Sequence, residues 1–174
     1  MKRVELLLKD PLYMEHIEKN VNLEEDEKYC KHDLRHMIDV ARITYILILE
    51  HHDLEYFIQE AKLSGKLAAK EVIYAAGLLH DIAKWKQYQT AQDHASIGAE
   101  IAHEILPRAF FNDNEVEVIA RAIYEHRNIS RDMSFLGERL YRADNLSRIC
   151  FLCEDRHRCL KYQNKEIGHD MLAY

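Results

Sequence analysis

The residues of this sequence with the most evident chemical capacity are an adjacent histidine and aspartate, His80 and Asp81. They lie in the segment VIYAAGLLHDIA, residues 72–83, which is apolar on every side of a helix and is therefore predicted to be buried. A buried carboxylate costs several kcal/mol unless it is paired or coordinated. Asp81 therefore predicts a partner, either a bound metal ion or a hydrogen-bonded His–Asp pair that orders the core.

Further inward-facing polar residues favour the metal. Each of His36, His94, His126 and Asp144 is in helical register with apolar residues, so that it lies on the stripe its helix turns to the core. In the same order as these four residues, the apolar residues in register are Val40, Ile43 and Leu47; Ile97, Ile101 and Ile105; Ile119 and Ile123; and Leu136 and Leu140. A single histidine on such a stripe is usually a core residue with a satisfied hydrogen bond. Four histidines and two aspartates on five predicted helices are explained together by a metal site.

The donor types restrict the metal. Imidazole mixed with carboxylate suits Fe, Mn, Co, Ni or Zn, whereas Ca and Mg prefer oxygen donors alone. Six donors exceed the four of a closed structural zinc site. The set is suited to one divalent transition metal with open positions, or to two ions that share a carboxylate.

The elements that must position these side chains are helices. Only 5 glycines and 2 prolines interrupt the 174 residues, and strand patterns are nearly absent. The predicted helices are Asp10 to Asn20 with Pro11 in the first turn, a short helix from Asn22 towards Cys30, 33–51, Asp53 to Ser64-Gly65, Leu67 to Lys84, Asp93 to Leu106, Asn112 to Arg127, and 135–149. We expect an all-α, irregular helical bundle in a single domain, residues 1–174, with a core at 30–149 and a cysteine-containing tail at 150–174.

The charge of the chain excludes some classes of partner. A net charge of −6 argues against a general binder of nucleic acid or of membrane surfaces. The sequence has no apolar run long enough to span a membrane, and its first residues do not form a signal peptide. We therefore predict a cytoplasmic protein whose 4 cysteines are reduced thiols or metal ligands.

The order His36, His80-Asp81, Asp144 resembles the H…HD…D signature of the HD superfamily of metal-dependent phosphohydrolases. The segments KHDLRHMIDVARI, YAAGLLHDIAKW, DHASIGAEIAHEIL, AIYEHR and YRADNLSR are similar to those of small bacterial HD proteins. The resemblance covers about residues 30–149. It implies the all-α HD-domain fold, a first metal held by His36, His80, Asp81 and Asp144, and a second held by His94 and His126 with Asp81 as the bridge.

The resemblance also implies hydrolysis of a phosphate ester, and nearby cations fit that reaction. Lys84 is predicted one turn after His80 on the same helix face, and Arg127 directly follows His126. With Asp81 they form the predicted catalytic set, since either cation can bind a phosphate oxygen; a solvated cation is the alternative. His32 is one turn before His36 and is predicted to support the ligands from behind.

The cysteines raise a separate question. Cys150, Cys153 and Cys159 form a C-x₂-C-x₅-C pattern after the helix of Asp144, and Cys30 precedes the helix of His36. If both helices contact one metal, all four thiols can meet in a structural zinc or iron–sulfur site. Ordinary reduced cysteines are the alternative.

From the sequence we therefore predict a metal-dependent phosphohydrolase that acts on a small phosphorylated metabolite or nucleotide. Two alternatives remain open at this point: a diiron oxygenase of the same superfamily, and a non-catalytic module that binds nucleotide or metal.

Overall fold

The computed structural model describes residues 1–25, 30–148, 150, 153, 154 and 156–163, and this part of the chain is helical without any strand. The α-helices are α1 (Lys2–Leu8), α2 (Pro11–Leu23), α3 (Leu34–Glu50), α4 (Leu54–Glu60), α5 (Lys66–Leu79), α6 (Lys84–Thr90), α7 (His94–Ile105), α8 (Asp113–Glu125), α9 (Phe135–Leu146) and α10 (Leu160–Gln163). Short 3₁₀ helices cover Leu106–Ala109 and Arg156–Arg158. The predicted all-α fold is confirmed.

Most helices begin where capping residues predict. Asp10, Asp33 and Asp93 each accept a hydrogen bond from a backbone N–H of the first turn. Asn112 and Glu115 form a complete capping box at the start of α8. These local signals place the helices that carry His36, His94 and His126.

Two other capping predictions are wrong. Asn22 lies inside α2, which continues to Leu23, so no helix begins there; the rest of the predicted helix falls on residues 26–29, outside the described residues. Asp53 precedes α4 but makes no capping hydrogen bond. Its carboxylate accepts instead from Arg139, with an N–O distance of 2.8 Å, so a tertiary ion pair replaces the local cap.

The helix predicted from Leu67 to Lys84 is interrupted. Helix α5 ends at Leu79, residues 80–83 form turns, and a new helix, α6, begins at Lys84. Lys84 therefore does not lie one turn along the same helix as His80, contrary to the prediction. The break places His80 and Asp81 at the carboxyl end of α5, where their side chains are not confined to one helical stripe.

The helices share one hydrophobic core, to which α3, α5, α8 and α9 contribute most of the fully buried side chains. Helices α3 and α5 pack most closely at Gly77, where an added Cβ would lie 2.5 Å from the Cα of Ala41. Any side chain at Gly77 would separate the two helices. This close approach brings the start of α3, with His36, beside the end of α5, with His80.

Helix α7 presents a different face to the core from the one predicted. Besides His94, its buried residues are Ala95, Gly98, Ala102 and Ile105, whereas Ile97 and Ile101 are only half-buried. His94 nevertheless faces inward. Within the described residues, no helix combines the length and the apolar character needed to cross a bilayer.

Candidate metal centre

The structure brings four predicted ligands together in a first cluster. The side chains of His36, His80, Asp81 and Asp144 are buried, and one donor atom of each lies within 4.8 Å of the others. His80 Nε2 lies 3.0 Å from Asp81 Oδ2, and His36 Nε2 lies 3.3 Å from Asp144 Oδ1 and 3.5 Å from Asp81 Oδ2. The cluster thus joins the start of α3, the end of α5 and the last turn of α9.

A second cluster shares Asp81. Its other members are His94, the first residue of α7, and His126, which directly follows α8. The Nε2 atoms of His94 and His126 lie 2.8 Å and 3.7 Å from Asp81 Oδ1. Asp81 therefore presents Oδ2 to one cluster and Oδ1 to the other, which is the geometry of a bridging carboxylate.

Backbone and side-chain oxygens fix the orientation of the histidine rings. His80 Nδ1 donates to the carbonyl of Gly77 at 2.8 Å, and His126 Nδ1 donates to the carbonyl of Ile123. His94 Nδ1 donates to Oε1 of Gln87. With the proton on Nδ1, each ring directs its Nε2 towards Asp81, as metal-bound histidines direct the ligating nitrogen.

The Nε2 atoms of these histidines provide a test of whether a metal ion fits the site. The buried Nε2 atoms of His80, His94 and His126 have no hydrogen-bond partner in the part of the chain that the structure describes. They face the carboxylate of Asp81, and a nitrogen and a carboxylate oxygen at this distance require a proton or a metal cation between them. The donor set suits a divalent transition metal, so residues and chemistry fit such an ion at both clusters.

The electrostatics of the metal-free protein lead to the same conclusion. Burial disfavours a charge on His80, but the carboxylates of Asp81 and Asp144 outweigh it and raise the pKa of His80 to about 10. Burial likewise opposes the charge on Asp81, yet the surrounding histidines hold its pKa well below the usual value. Asp81 thus retains its charge and His80 binds a proton beside it, in the position where a metal cation would neutralise the carboxylate.

Helix α2 holds the turn that carries the pair. Asn20 is fully buried; its Nδ2 donates to the carbonyl of Asp81 at 2.9 Å, and its Oδ1 accepts from the backbone N–H of Trp85 at 2.7 Å. The Asn20 side chain thereby provides an acceptor for the N–H of Trp85 in the first turn of α6. It also gives the carbonyl of Asp81 a second donor beside the backbone N–H of Lys84, which lies 3.0 Å away. This is why the chain can leave the helix at the point where Asp81 must face both clusters.

A buried arginine adjoins the first cluster. Arg148 Nη2 lies 2.8 Å from Asp144 Oδ1, 3.2 Å from His36 Nε2 and 3.9 Å from Asp81 Oδ2. Burial works against its charge, but the carboxylates of Asp144 and Asp81 outweigh it and raise the pKa of Arg148. A permanent cation therefore lies at the edge of the centre.

The ring of His32 is oriented by a carboxylate on the side that faces away from Asp81. Its Nδ1 donates to Glu24, which also accepts from the hydroxyl of Tyr88 at 2.6 Å, and its Nε2 lies 3.7 Å from Asp81 Oδ2. Burial lowers the pKa of His32 to about 4. The ring is thus neutral near pH 7 and directs an acceptor nitrogen to the centre.

The predicted cations lie around the same space. Lys84 and Arg127 join Arg148 in lining a cavity of about 110 Å³, together with Asp81 and His94. Lys84 Nζ also donates to Gln87 Oε1 at 3.3 Å, which connects it to the ring of His94. Arg127 is exposed at the cavity edge. The cavity is therefore lined by the carboxylates of Asp81 and Asp144 and by three cations, Lys84, Arg127 and Arg148, which we call its cationic rim.

The four cysteines gather at the mouth of this centre. Cys30, Cys150 and Cys159 line the small cavity, and Cys30, Cys150 and Cys153 line an adjoining cavity of about 330 Å³. Within the described residues, however, no three cysteines bring their sulfurs within 4.8 Å of one another. Their role as ligands stays a prediction.

The sequence reasoning missed three contributors: Asn20, Glu24 and Arg148. Arg148 follows Asp144 by four residues, which places both on one side of the chain and was an available signal. Asn20 and Glu24 lie far from the motif in sequence, and only the packing of α2 against α6 brings them to it.

Comparison with known proteins agrees with this arrangement. The sequence matches the HD domain family over residues 33–149, a range that includes every histidine and aspartate of both clusters. A protein of Clostridium beijerinckii is 35% identical over 159 residues, which cover 91% of this chain and 92% of that protein. The crystal structure of a predicted HD superfamily hydrolase from an uncultured Thermotogales bacterium is 27% identical, with a TM-score of 0.53 over 84% of this chain and 74% of that one.

Matches to larger enzymes are partial. A bifunctional uridylyltransferase/uridylyl-removing enzyme of Novosphingobium aromaticivorans is 38% identical over 66 residues, 38% of this chain and 7% of that enzyme. Ribonuclease Y of Lactobacillus gasseri is 28% identical over 113 residues, 62% of this chain and 19% of that enzyme. This chain thus spans a small part of either.

Proposed function

The chain belongs to the HD-domain family, and on that premise we propose that it hydrolyses a phosphate ester of a nucleotide or another small phosphorylated metabolite. The family match and the similarity to an HD superfamily hydrolase support metal-dependent phosphohydrolase chemistry at the level of the superfamily. The observation that carries the proposal is Asp81, which lies between two groups of metal-binding side chains under a rim of three cations.

The ligand assignment follows the two clusters. His36, His80, Asp81 and Asp144 would hold one divalent ion, and His94 and His126 would hold a second with Asp81 as the shared ligand. Such an ion would lower the pKa of a water molecule towards neutrality and polarise a phosphoryl oxygen.

The cations of the rim would orient the substrate. The guanidinium groups of Arg148 and Arg127 and the ammonium of Lys84 line the small cavity and match the negative charge of phosphoryl oxygens. At about 110 Å³ the cavity accepts a phosphoryl group and a water molecule, but it lies below the roughly 300–1,000 Å³ of pockets that enclose whole ligands. The phosphoryl end of the substrate would enter it while the remainder extends outward.

His32 would orient the attacking water. Its Nε2 is an acceptor directed to the centre, and Glu24 keeps the ring proton on Nδ1. A hydrogen bond from water to this nitrogen points the water oxygen lone pair towards phosphorus. The water oxygen then bonds to phosphorus as the ester P–O bond breaks; one water proton passes to the leaving oxygen, which departs as an alcohol, and the other stays on the phosphate.

A nucleotide is the favoured class of substrate because two partial relatives are named as a uridylyl-removing enzyme and a ribonuclease. The test is a release assay for phosphate and nucleoside over nucleoside mono-, di- and triphosphates and an aryl phosphate, with Mn²⁺, Ni²⁺, Co²⁺, Fe²⁺ or Zn²⁺. We expect turnover that is lost in Asp144→Ala and retained in His103→Ala, whose side chain is exposed. Dioxygen consumption by iron-loaded protein, or nucleotide binding without turnover under every metal, would contradict the proposal.

A further inference from the structure

The only cysteines of the chain form a second concentration of ligating side chains. We propose that Cys30, Cys150, Cys153 and Cys159 bind a separate thiolate-ligated metal centre, a zinc ion or an iron–sulfur cluster, beside the mouth of the histidine–aspartate site. This inference concerns different ligands from the proposed function and does not depend on it.

The first support is convergence. Cys30 precedes α3 and the other three follow α9, yet all four line two adjoining cavities, with Cys30 and Cys150 common to both. Burial and the charges of Cys30, Cys159 and Cys153 together raise the pKa of the Cys150 thiol to about 11, although Arg148 lowers it. Four sulfurs within electrostatic range of one another would repel as thiolates unless a cation lies among them.

The second support is the local backbone. Cys153 N–H donates to the carbonyl of Cys150 at 3.2 Å, Arg156 N–H to that of Cys153 at 3.4 Å, and Cys159 N–H to that of Arg156 at 3.2 Å. Each of these hydrogen bonds joins residues three apart, so the backbone of Cys150 lies close to that of Cys153 and the backbone of Arg156 close to that of Cys159.

The surroundings suit a centre with net negative charge. Lys31, Arg35 and Arg148 line the larger cavity with the thiols, and the charge of Cys30 contributes to the raised pKa of Arg148. Asp33 and Asp39 also line this cavity, but Asp33 caps α3 and Asp39 lies 3.5 Å from Arg42. Four thiolates on a divalent ion leave two negative charges, which these cations would offset.

Sulfur donors alone restrict the occupant to zinc or an iron–sulfur cluster. Zinc–sulfur bonds of about 2.3 Å place the sulfurs of a tetrahedral site about 3.8 Å apart. Among the described residues the cysteine sulfurs are more widely spaced, with no three within 4.8 Å. Zinc would draw them together, whereas a cluster binds each thiolate to a different iron and accepts wider spacing.

The first experiment uses wild-type protein purified under anaerobic conditions. A thiol reagent added to native protein without chelator should leave the four cysteines unreacted, and denaturation with chelator should release all of them. Elemental analysis should then give either one zinc or several irons with matching acid-labile sulfide. Four thiols that react freely in the native protein, or disulfides in place of thiols, would overturn the proposal.

The second experiment separates this centre from the histidine–aspartate site. Cys153→Ser and Cys159→Ser are suitable because both side chains are half-buried, so their loss leaves the core packing intact. The equivalent of zinc, or the iron with sulfide, that the cysteines bind should be lost from the double variant and persist in Asp144→Ala, while metal bound at the histidine–aspartate site should remain in the double variant. Equal zinc and iron contents in wild type and double variant would contradict the assignment. If the double variant does not fold, the wild-type titration decides.

Discussion

Asn20 donates a hydrogen bond of 2.9 Å from Nδ2 to the backbone carbonyl of Asp81, although the two residues belong to distant segments of the chain. The same side chain accepts from the N–H of Trp85, so it spans the break between α5 and α6. The position of the shared carboxylate therefore depends on a residue that belongs to neither ligand cluster.

Asn20→Ala should loosen this turn. It leaves the backbone N–H of Trp85 without its acceptor and the carbonyl of Asp81 with one donor in place of two, which costs about 1–3 kcal/mol of unfolding free energy. Loss of such support around metal ligands lowers metal affinity or activity about 10–100-fold. Chemical denaturation and Mn²⁺ titration measure the two effects. Asn128→Ala, which removes an exposed bond to the carbonyl of Tyr124, is the matched control; equal effects of the two substitutions would argue against a positioning role.

Arg148→Ala should separate metal binding from turnover. The guanidinium competes with a metal for Asp144 Oδ1, from which it lies 2.8 Å, so its removal should leave Mn²⁺ affinity unchanged or higher. Loss of one preorganised charged donor to the phosphoryl group should reduce kcat/KM about 10²–10³-fold. Arg142→Ala is the control, because Arg142 is exposed on α9 and lies 3.7 Å from Glu138. A loss of metal that accounts for the whole loss of activity would contradict the assignment.

Glu24→Gln should lower kcat more than it raises KM. The substitution removes the charge that fixes the proton on His32 Nδ1 while it preserves the shape of the side chain. A purely structural Glu24 would instead lower stability and leave kcat of the folded fraction unchanged. Steady-state kinetics combined with thermal melting distinguishes these outcomes. Glu104→Gln, on an exposed side chain that lies 2.6 Å from Arg108, serves as control.

The metal-free protein should lose stability as the pH rises. Its folded-state pKa for His80 is raised from 6.5 to about 10, so proton binding favours the folded state. This contribution is present in full below pH 6.5 and disappears as the pH rises through about 10. Urea unfolding of chelator-treated protein over this range measures it. His80→Asn cannot carry the proton and should lack the slope; the same slope in both proteins would assign it to other groups.

The helices were predictable where local chemistry decides them. Asp33, Asp93 and Asn112 each provide a side-chain oxygen to the first turn that follows, and the sequence shows this directly. Asn22 offers the same residue type, but it lies in a helix already started at Pro11, where continued backbone hydrogen bonds replace a cap. The end of α5 at Leu79 was not predictable, because a tertiary bond from Asn20 sets it.

The candidate site was predictable to the extent that it is ordered along the chain. His36, the pair His80-Asp81, and Asp144 follow a recognisable succession. His36 and Asp144 lie on helices whose apolar residues show which side is buried, and the pair lies in a segment that is apolar throughout. Glu24 has no such signature, since its role arises only from its contacts with His32 and Tyr88. Side chains that act through another residue leave little pattern in a single sequence.

The central claim is that Asp81 is shared by two metal sites, and counting bound Mn²⁺ in matched variants tests it most directly. Mn²⁺ binds histidine and carboxylate donors but binds thiolates weakly. The number of bound Mn²⁺ ions therefore does not include ions held by the cysteines. Wild type and His103→Ala should bind two equivalents and His126→Ala one, while Asp81→Ala should lose both. An Asp81→Ala variant that is folded and still binds as much Mn²⁺ as wild type would contradict the account.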